Sequence, residues 1–551
     1  MWSATEEVPC GRTCAQNARK SWGKVLIMTD VLAIEARRQV EQSRLDALKD
    51  AKERNRLGQF ATPPNLSLEI ARYAWSQWGR RGPVRFLDPA IGSGSFYGAL
   101  LRVFSRDAIQ SAQGIELDPA FVRAAATLWG GMGLQVTEAD FTVLTPQARF
   151  NLILTNPPYV RHHHLSTGNK ERLQTLTRRV VGFRPSGLSG LYCYFLFLTH
   201  AWMTDDALAV WLIPSEFMDV NYGSAVKRYL TERVTLLRIH RFDPNTVQFD
   251  DALVTSAIVA FRNTPPCPSD VAAFTFGGNW SLPAVSEVVP IVELRRIRKW
   301  TLLPHARVLT GEPTIRLGDL FTIKRGLASG ANSFFIMPRQ QAMQHGIPQE
   351  ALKPILPSPR YLRTNVVESE ADGWPMLSEP PGLIDCSIPE EKLRLKYPAF
   401  WAYLESGRAR GINRGYLTSR RTPWYSQEQR PAAPFLCTYM GRQRDKAKPF
   451  RFIWNKSQAT AANVYLLLYP RPILARALAK GTHVAEAVFK ALNQLSIHEL
   501  ISNGRVYGGG LHKLEPSELA NLSAVSVAQA AGIEMNLNSD SYAVEQLEFA
   551  F

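Results

Sequence analysis

Apolar residues in the first half of the chain fall into short runs separated by longer segments with helical spacing. Val84–Asp88, Gln113–Leu117, Leu134–Glu138, Asn151–Thr155, Ala207–Ile213, Leu236–His240 and Leu253–Phe261 read as β-strands. Most are apolar throughout, as strands covered on both faces are. Their alternation with helical segments from residue 58 to about 263 predicts a doubly wound α/β sheet, with ligands beyond the carboxyl ends of its strands. Upstream, residues 30–56 carry many charges with apolar positions near helical spacing and predict a packing helix with a solvated face. Residues 1–27 show little pattern, and Met28 is an alternative start. Leu191 to Met203 is the most apolar stretch, but it is too short to span a bilayer and runs into Asp205-Asp206, which predicts a buried helix. Pro265, Pro266 and Pro268, then Arg295-Arg296-Ile297-Arg298-Lys299, mark 264–310 as a hinge. Residues 311–551 change to short strand-like pieces, Gly and Pro turns and basic–aromatic mixtures, expected to form a separate mixed α+β domain.

Composition narrows the class. At 551 residues the chain exceeds one ordinary core. A hydrophobic share of 45% against 20% charged residues excludes a disordered chain. The net charge of +16 points to a polyanionic partner. The six cysteines (Cys10, Cys14, Cys193, Cys267, Cys386, Cys437) are too scattered for a disulfide framework and suit a reducing cytoplasm. Cys10 and Cys14 have no second Cys/His pair nearby, and the adjacent His162, His163 and His164 cannot easily converge on one ion, so no metal is expected. The N-terminus lacks the apolar core of a signal peptide, and no membrane partner is expected.

The strand Phe150-Asn-Leu-Ile-Leu-Thr155 ends in Asn156-Pro157-Pro158-Tyr159. A planar, non-basic amino group becomes nucleophilic only when acceptors hold its N–H bonds and draw the nitrogen towards tetrahedral geometry. The Asn156 side-chain oxygen is one acceptor, and the Pro157 carbonyl is a second. The consecutive prolines Pro157 and Pro158 stiffen the turn, and Tyr159 offers a face for a stacked base. Four residues alone equally describe a strand and a proline turn, so the neighbourhood decides. Phe86-Leu-Asp88-Pro89-Ala90-Ile-Gly92-Ser-Gly94 is a strand, an acid and a glycine turn entering a helix, but its glycines miss the dinucleotide spacing by one residue. Glu116, with Leu117 after it, ends the second strand, where a carboxylate can accept two ribose hydroxyls. Asp140 ends the third, beside the apolar ring of Phe141, where it can accept from an adenine amino group. Each acid alone is commonly a cap or loop residue. Acids on successive strands, followed by Asn156, instead make a line of polar groups suited to one elongated adenosyl ligand.

These motifs, in this order, resemble those of the gamma-class (TaqI-type) adenine-N6 DNA methyltransferases of restriction–modification systems. The resemblance covers about 50–263. It implies a Rossmann-like methyltransferase sheet followed by a DNA target-recognition domain, and S-adenosyl-L-methionine as cofactor. Gly58-Gln-Phe-Ala-Thr62-Pro63-Pro64 resembles the motif whose Thr-Pro contacts the methionine end. Asp88 to Gly94 resembles the first cofactor motif, Glu116 the ribose acid, and Asp140-Phe141 the adenine pocket. Gly190-Leu-Tyr192 and Val210-Trp-Leu-Ile-Pro214-Ser-Glu-Phe217 resemble the later sheet motifs. Phe249 falls where the family keeps a second aromatic against an extruded base, with Phe242 as the alternative. The implied domains are a leader and charged helix (1–57), the methyltransferase domain (58–263), the hinge (264–310) and the target-recognition domain (311–551).

The activity so implied is methyl transfer to N6 of a flipped adenine in double-stranded DNA, by a monomer working beside a separate restriction endonuclease. In the second domain, Ile315 to Asn332 resembles the opening of DNA-recognition domains. Lys324, Arg325, Arg410, Arg414, Arg442 and Arg444 are the candidate DNA contacts, among interleaved aromatics such as Tyr416, Trp424-Tyr425 and Trp454. Three rival readings stand beside this one. A protein-glutamine or RNA amino-group methyltransferase would use the same elbow, and a silent DNA-binding specificity protein would use only the second domain. A fused nuclease built on Asp385, Glu390 and Lys392 would need strands to hold a metal in a proline-rich loop.

Overall fold

The computed structural model describes residues 12–79, 81–243, 255–303, 315–442, 448–507 and 511–533. It divides into two compact units, Met1–Leu309 and Thr310–Phe551.

The first unit is built on a nine-stranded sheet. Its strands are β1 (Val84–Asp88), β2 (Ile109–Glu116), β3 (Leu134–Glu138), β4 (Phe150–Thr155), β5 (Met203–Pro214), β6 (Thr235–Arg241), β7 (Ser256–Arg262), β8 (Val271–Gly278) and β9 (Pro283–Pro290). They lie in the order β3-β2-β1-β4-β5-β7-β6-β8-β9. β1 to β5 are mutually parallel, and β7 runs antiparallel between β5 and β6. All seven strand runs read from the sequence occur here, with ends shifted by a few residues.

The two-sided burial follows from strand periodicity. Along β5, Leu208, Val210 and Leu212 enter one core with Phe86, Leu152 and Leu154. Ala207, Ala209, Trp211 and Ile213 enter the other with Leu87 and Ile153. On the first face lie α3 (Pro64–Trp78) and α4 (Ser95–Val103); on the second lie α6 (Thr167–Val181), α7 (Leu191–Thr199) and α8 (Ser224–Glu232). The apolar run from Leu191 is a buried helix only to Thr199; a short 3₁₀ turn, His200–Trp202, hands the chain to β5 at Met203. α5 (Pro119–Trp129) starts where the Asp118 side chain caps it and proline stands at its first position.

Two sequence expectations need correction. The single helix over 30–56 is two: α1 (Arg12–Ala47) and, after a break at Leu48–Asp50, α2 (Ala51–Leu57). The Asp50 side chain caps α2 by accepting from the Glu53 N–H, which starts a new helix after the break. The stretch 264–310 is not simply a hinge, because β8 pairs with β6 and β9 with β8, extending the same sheet. Its prolines lie outside the β8 ladder, which is why they read as a linker. β9 is mostly exposed along alternate residues, as an edge strand is.

The second unit holds a five-stranded, a four-stranded and a three-stranded sheet among its described residues, with three separate cores. Its five-stranded sheet runs Phe321–Arg325, Tyr465–Pro470, Phe435–Thr438, Phe452–Asn455 and Val366–Val367. This is the mixed α+β character expected.

Candidate active site

In an open α/β sheet the crevice falls where strand order reverses. Here that point lies between β1 and β4, whose carboxyl ends carry Asp88 and Thr155-Asn156. The Thr155 hydroxyl donates to Asp88 Oδ1 at 2.6 Å and ties the two ends together. A cleft of about 730 Å³ opens over them. Of the residues singled out in the sequence, Thr62, Asp88, Pro89, Ala90, Gly92, Glu116, Leu117, Asp140, Phe141, Asn156 and Pro158 line it. Pro63, Gly94, Pro157 and Tyr159 adjoin lining residues in the chain but are not themselves part of the lining.

Asn156 is held in one orientation. Its Nδ2 donates to the Phe60 carbonyl at 2.9 Å and to Thr62 Oγ1 at 3.1 Å. A carbonyl can only accept, so the amide nitrogen must face it and Oδ1 must face away. Oδ1 is buried and has no hydrogen-bond partner among the described residues. A buried, unmatched acceptor is costly unless a donor arrives. The segment that fixes Asn156 is itself fixed: the Tyr159 N–H donates to the Gly58 carbonyl at 3.0 Å. Gly58 has φ +67°, and a Cβ there would stand 2.4 Å from the Tyr159 nitrogen. Only glycine lets the two segments close.

Tyr159 departs from the expected open stacking face. It is 6% exposed, its hydroxyl donates to the Leu212 carbonyl at 3.1 Å, and its ring lies 5.5 Å from that of Phe60 at a 43° tilt. Burial raises its hydroxyl well above the ordinary tyrosine range. Phe249 lies outside the described residues. The alternative, Phe242, is 3% exposed and packs edge-on against His240 within the core.

The acids occupy different environments. Asp88 is 1% exposed, and burial pushes its carboxyl up to about 7, with the neighbouring Glu116 charge adding to the effect. The folded protein therefore keeps that proton up to about pH 7, whereas an unfolded chain loses it near 4. The stability it contributes is complete below about pH 4 and is lost as pH climbs to about 7. Asp88→Asn should flatten that dependence: melting temperatures of variant and wild type, recorded from pH 5 to 8, should converge at the acid end and separate, with the variant higher, at the alkaline end. A wild-type slope in the variant would refute the account. Burial also raises Glu116, although its carboxylate accepts from the backbone N–H groups of Gly92, Leu117 and Asp118. Asp140 Oδ1 accepts from the backbone N–H and the hydroxyl of Thr142, both at 2.8 Å. Phe141 beside it is buried against Phe195 and Trp202.

Sequence reading missed the contribution of α1. Gln42, Asp46 and Lys49 line the cleft. Arg38, 2% exposed, bonds Glu35 through both Nε and Nη2 at 2.7 Å and reaches Ser93 Oγ at 2.9 Å. Ser93 Oγ in turn donates to Gln42 Oε1 at 2.7 Å. The glycine turn is thus clamped by a buried ion pair, and the Trp129 indole N–H donates to the Ser93 carbonyl beneath it. Gly94, at φ +89°, leaves room for that indole, which a Cβ would approach to 2.5 Å. An (i, i+3) Glu–Arg pair looks like any solvated helix pair in sequence, so nothing there marked it as buried. The segment after the elbow also contributes: His164 and Leu165, then Asn169 and Arg172 on α6, reach the cleft.

In the second unit Lys324, Arg325, Arg410, Arg414 and Arg442 are exposed; Arg444 lies outside the described residues. Arg325 stacks over Tyr439 at 4.3 Å. Other basic residues of the same stretches are structural: Arg421 donates to the Ser329 and Ala328 carbonyls, and Arg451 to those of Pro359 and Leu362. Trp424, Tyr425 and Trp454 are core residues, while Tyr416 is 74% exposed with Arg420 3.8 Å from its ring. Asp385 pairs with Lys353 and Glu390 with Arg408, and no cluster of metal-ligating residues occurs among the described residues.

A parallel sheet with its cleft at the switch point and one reversed strand between β5 and β6 is the methyltransferase variety of the Rossmann-like fold. Residues 129–248 match the family model of the Eco57I restriction-modification methylase, and 303–546 match that of the C-terminal domain of Type II methyltransferase M.Eco57I. The two matches fall on the two units in turn, and the chain is similar to Type II restriction–modification methyltransferases over most of its length. It is 28% identical over 486 residues to Type II methyltransferase M.XamI of Xanthomonas campestris pv. amaranthicola, covering 86% of each chain. It is 24% identical over 493 residues to M.AccI of Acinetobacter calcoaceticus, covering 85% of each. Among solved structures, the Type IIL restriction-modification enzyme MmeI in complex with DNA has a similar fold, with a TM-score of 0.53 at 12% identity over 91% of this chain and 79% of that one. No helix of the described residues is long and apolar enough to cross a membrane.

Proposed function

We propose that this chain transfers a methyl group from S-adenosyl-L-methionine to N6 of an adenine extruded from duplex DNA, as the modification enzyme of a restriction–modification system. The observation that carries the reading is that Asn156, which lines the cleft, has a side-chain oxygen without a partner among the described residues. An amino group on a planar ring supplies the donor that this oxygen lacks, and the Pro157 carbonyl would take its second N–H.

The cleft residues suit an adenosyl-sulfonium cofactor. Glu116 and Asp140 would hold the ribose and adenine, Leu117 and Phe141 its apolar faces, and the Thr62 and Asp88 end its amino-acid portion. The cofactor, when bound, supplies an activated methyl group on a good leaving group. What remains for the protein is positioning and hydrogen-bond activation. Asn156 and Pro157 would orient the target nitrogen, while the strap Phe60–Thr62 keeps the amide from rotating. Tyr159, covered by the Phe60 ring, would back the aromatic face on which the extruded base stacks, offsetting part of the unstacking cost. Lys324, Arg325, Arg410, Arg414 and Arg442 would bear the DNA backbone or bases. The enzyme would work as a monomer in the cytoplasm, with any endonuclease on a separate chain.

The test is direct. Purified protein is incubated with methyl-labelled S-adenosyl-L-methionine and mixed duplexes, and the DNA is digested to nucleosides. Label is expected in N6-methyladenine. Label in another nucleoside, in RNA or in added protein would overturn the proposal.

A further inference from the structure

The geometry points to Arg172, on α6 and outside every cofactor motif, as a positioning residue that makes the far end of the cleft selective for a 6-amino purine over a 6-oxo purine. The inference rests on the cofactor reading above and deepens it. Arg172 donates to the Thr142 carbonyl and to Thr142 Oγ1, both at 2.9 Å. Thr142 Oγ1 also bonds Asp140 Oδ1 at 2.8 Å. A guanidinium has donors and no acceptor, and a hydroxyl has one hydrogen. The Thr142 hydroxyl must therefore accept from Arg172 and donate to Asp140. Asp140 Oδ1 already takes the Thr142 N–H as well. Both of its bonding directions are filled by donors, so the polarity of the whole chain, Arg172 to Thr142 to Asp140, is fixed from the charged end.

What remains is Asp140 Oδ2, approached by the Arg172 guanidinium at 4.0 Å. Asp140, Thr142 and Arg172 all line the cleft. Oδ2 accepts, so it favours a ring bearing an exocyclic N–H and repels a ring bearing a carbonyl oxygen at that position. Without Arg172, the Thr142 hydroxyl is free to turn, the Asp140 turn loses its outer tether, and Oδ2 is no longer held for the ligand edge. A site built around a matched donor rejects the mismatched analogue far more strongly than one that senses size alone.

The experiment reads binding, not turnover. Dissociation constants for S-adenosyl-L-homocysteine and S-inosyl-L-homocysteine are measured by calorimetry on the full chain, for wild type, Arg172→Met and Arg172→Lys. Wild type should prefer the adenosyl compound by more than about 10²-fold, beyond what a difference in size alone gives. Arg172→Met should lose affinity for the adenosyl compound while keeping that for the inosyl one, so that the preference shrinks severalfold; Arg172→Lys should recover part of it. If Arg172→Met weakened both compounds equally, or left the preference intact, Arg172 would be only a structural tether and the inference would fall. If wild type bound neither compound, the cofactor reading itself would fail, and this inference with it.

Discussion

Asn156→Ala should lower single-turnover methyl transfer by at least about 10²–10³-fold, the cost of removing a preorganised hydrogen-bonding group at a reacting centre. Affinity for S-adenosyl-L-homocysteine, measured by calorimetry, should stay within a few-fold of wild type, because the cofactor-side wall is made by other strands. The substitution also removes the bonds from Asn156 Nδ2 to the Phe60 carbonyl and Thr62 Oγ1, so a stability loss of about 1–3 kcal/mol should accompany it. Asn156→Asp is the informative companion. It keeps the size and an acceptor, but sets a carboxylate oxygen against the Phe60 carbonyl that now receives an N–H at 2.9 Å. It should therefore be folded but impaired, through misorientation rather than loss of the group. Near wild-type turnover in the alanine variant would remove the amide from the mechanism.

Arg38→Met should be strongly destabilising although it lies outside the reacting centre. It leaves the Glu35 carboxylate, 6% exposed, with the Gln39 amide at 3.1 Å as its one side-chain donor among the described residues. Breaking one side of a buried pair typically costs about 3–5 kcal/mol. It also releases Ser93, and with it the glycine turn, so cofactor affinity should fall in parallel. Removing both charges, as Glu35→Leu with Arg38→Met, should recover most of the stability, because the buried charge is then gone. Chemical denaturation of the three variants decides the point. A double variant no more stable than Arg38→Met would show that packing, not charge, fails at this site.

The two kinds of site residue were not equally legible in the sequence. The elbow Asn156-Pro157-Pro158-Tyr159 and the acids Asp88, Glu116 and Asp140 were legible because each follows a short apolar strand, and strand ends are where a doubly wound sheet carries its chemistry. The contribution of α1 and the particular contacts of Arg172 were not. Arg38 and Arg172 sit in charged helical segments whose composition is that of any solvated face. Their partners, Ser93 and Thr142, lie 55 and 30 positions away in the chain. Tyr159 was legible as an aromatic at the right place, but not as a residue tied down by Leu212 and covered by Phe60. The stretch 264–310 was misread because its prolines fall between β7 and β8 and at the ends of β9, leaving the ladders intact.

The sequence by itself determined the strands, their apolar faces and the polar residues at their ends, because the twofold period of a strand and the stiffness of proline act locally. Tertiary structure alone decided that the Asn156 amide nitrogen is bonded while its oxygen is left without a partner, to which acceptor the Thr142 hydroxyl gives its proton, and which charges are buried. Those depend on atoms brought within 3 Å by segments distant in the chain, and donor–acceptor polarity exists only once both partners are in place.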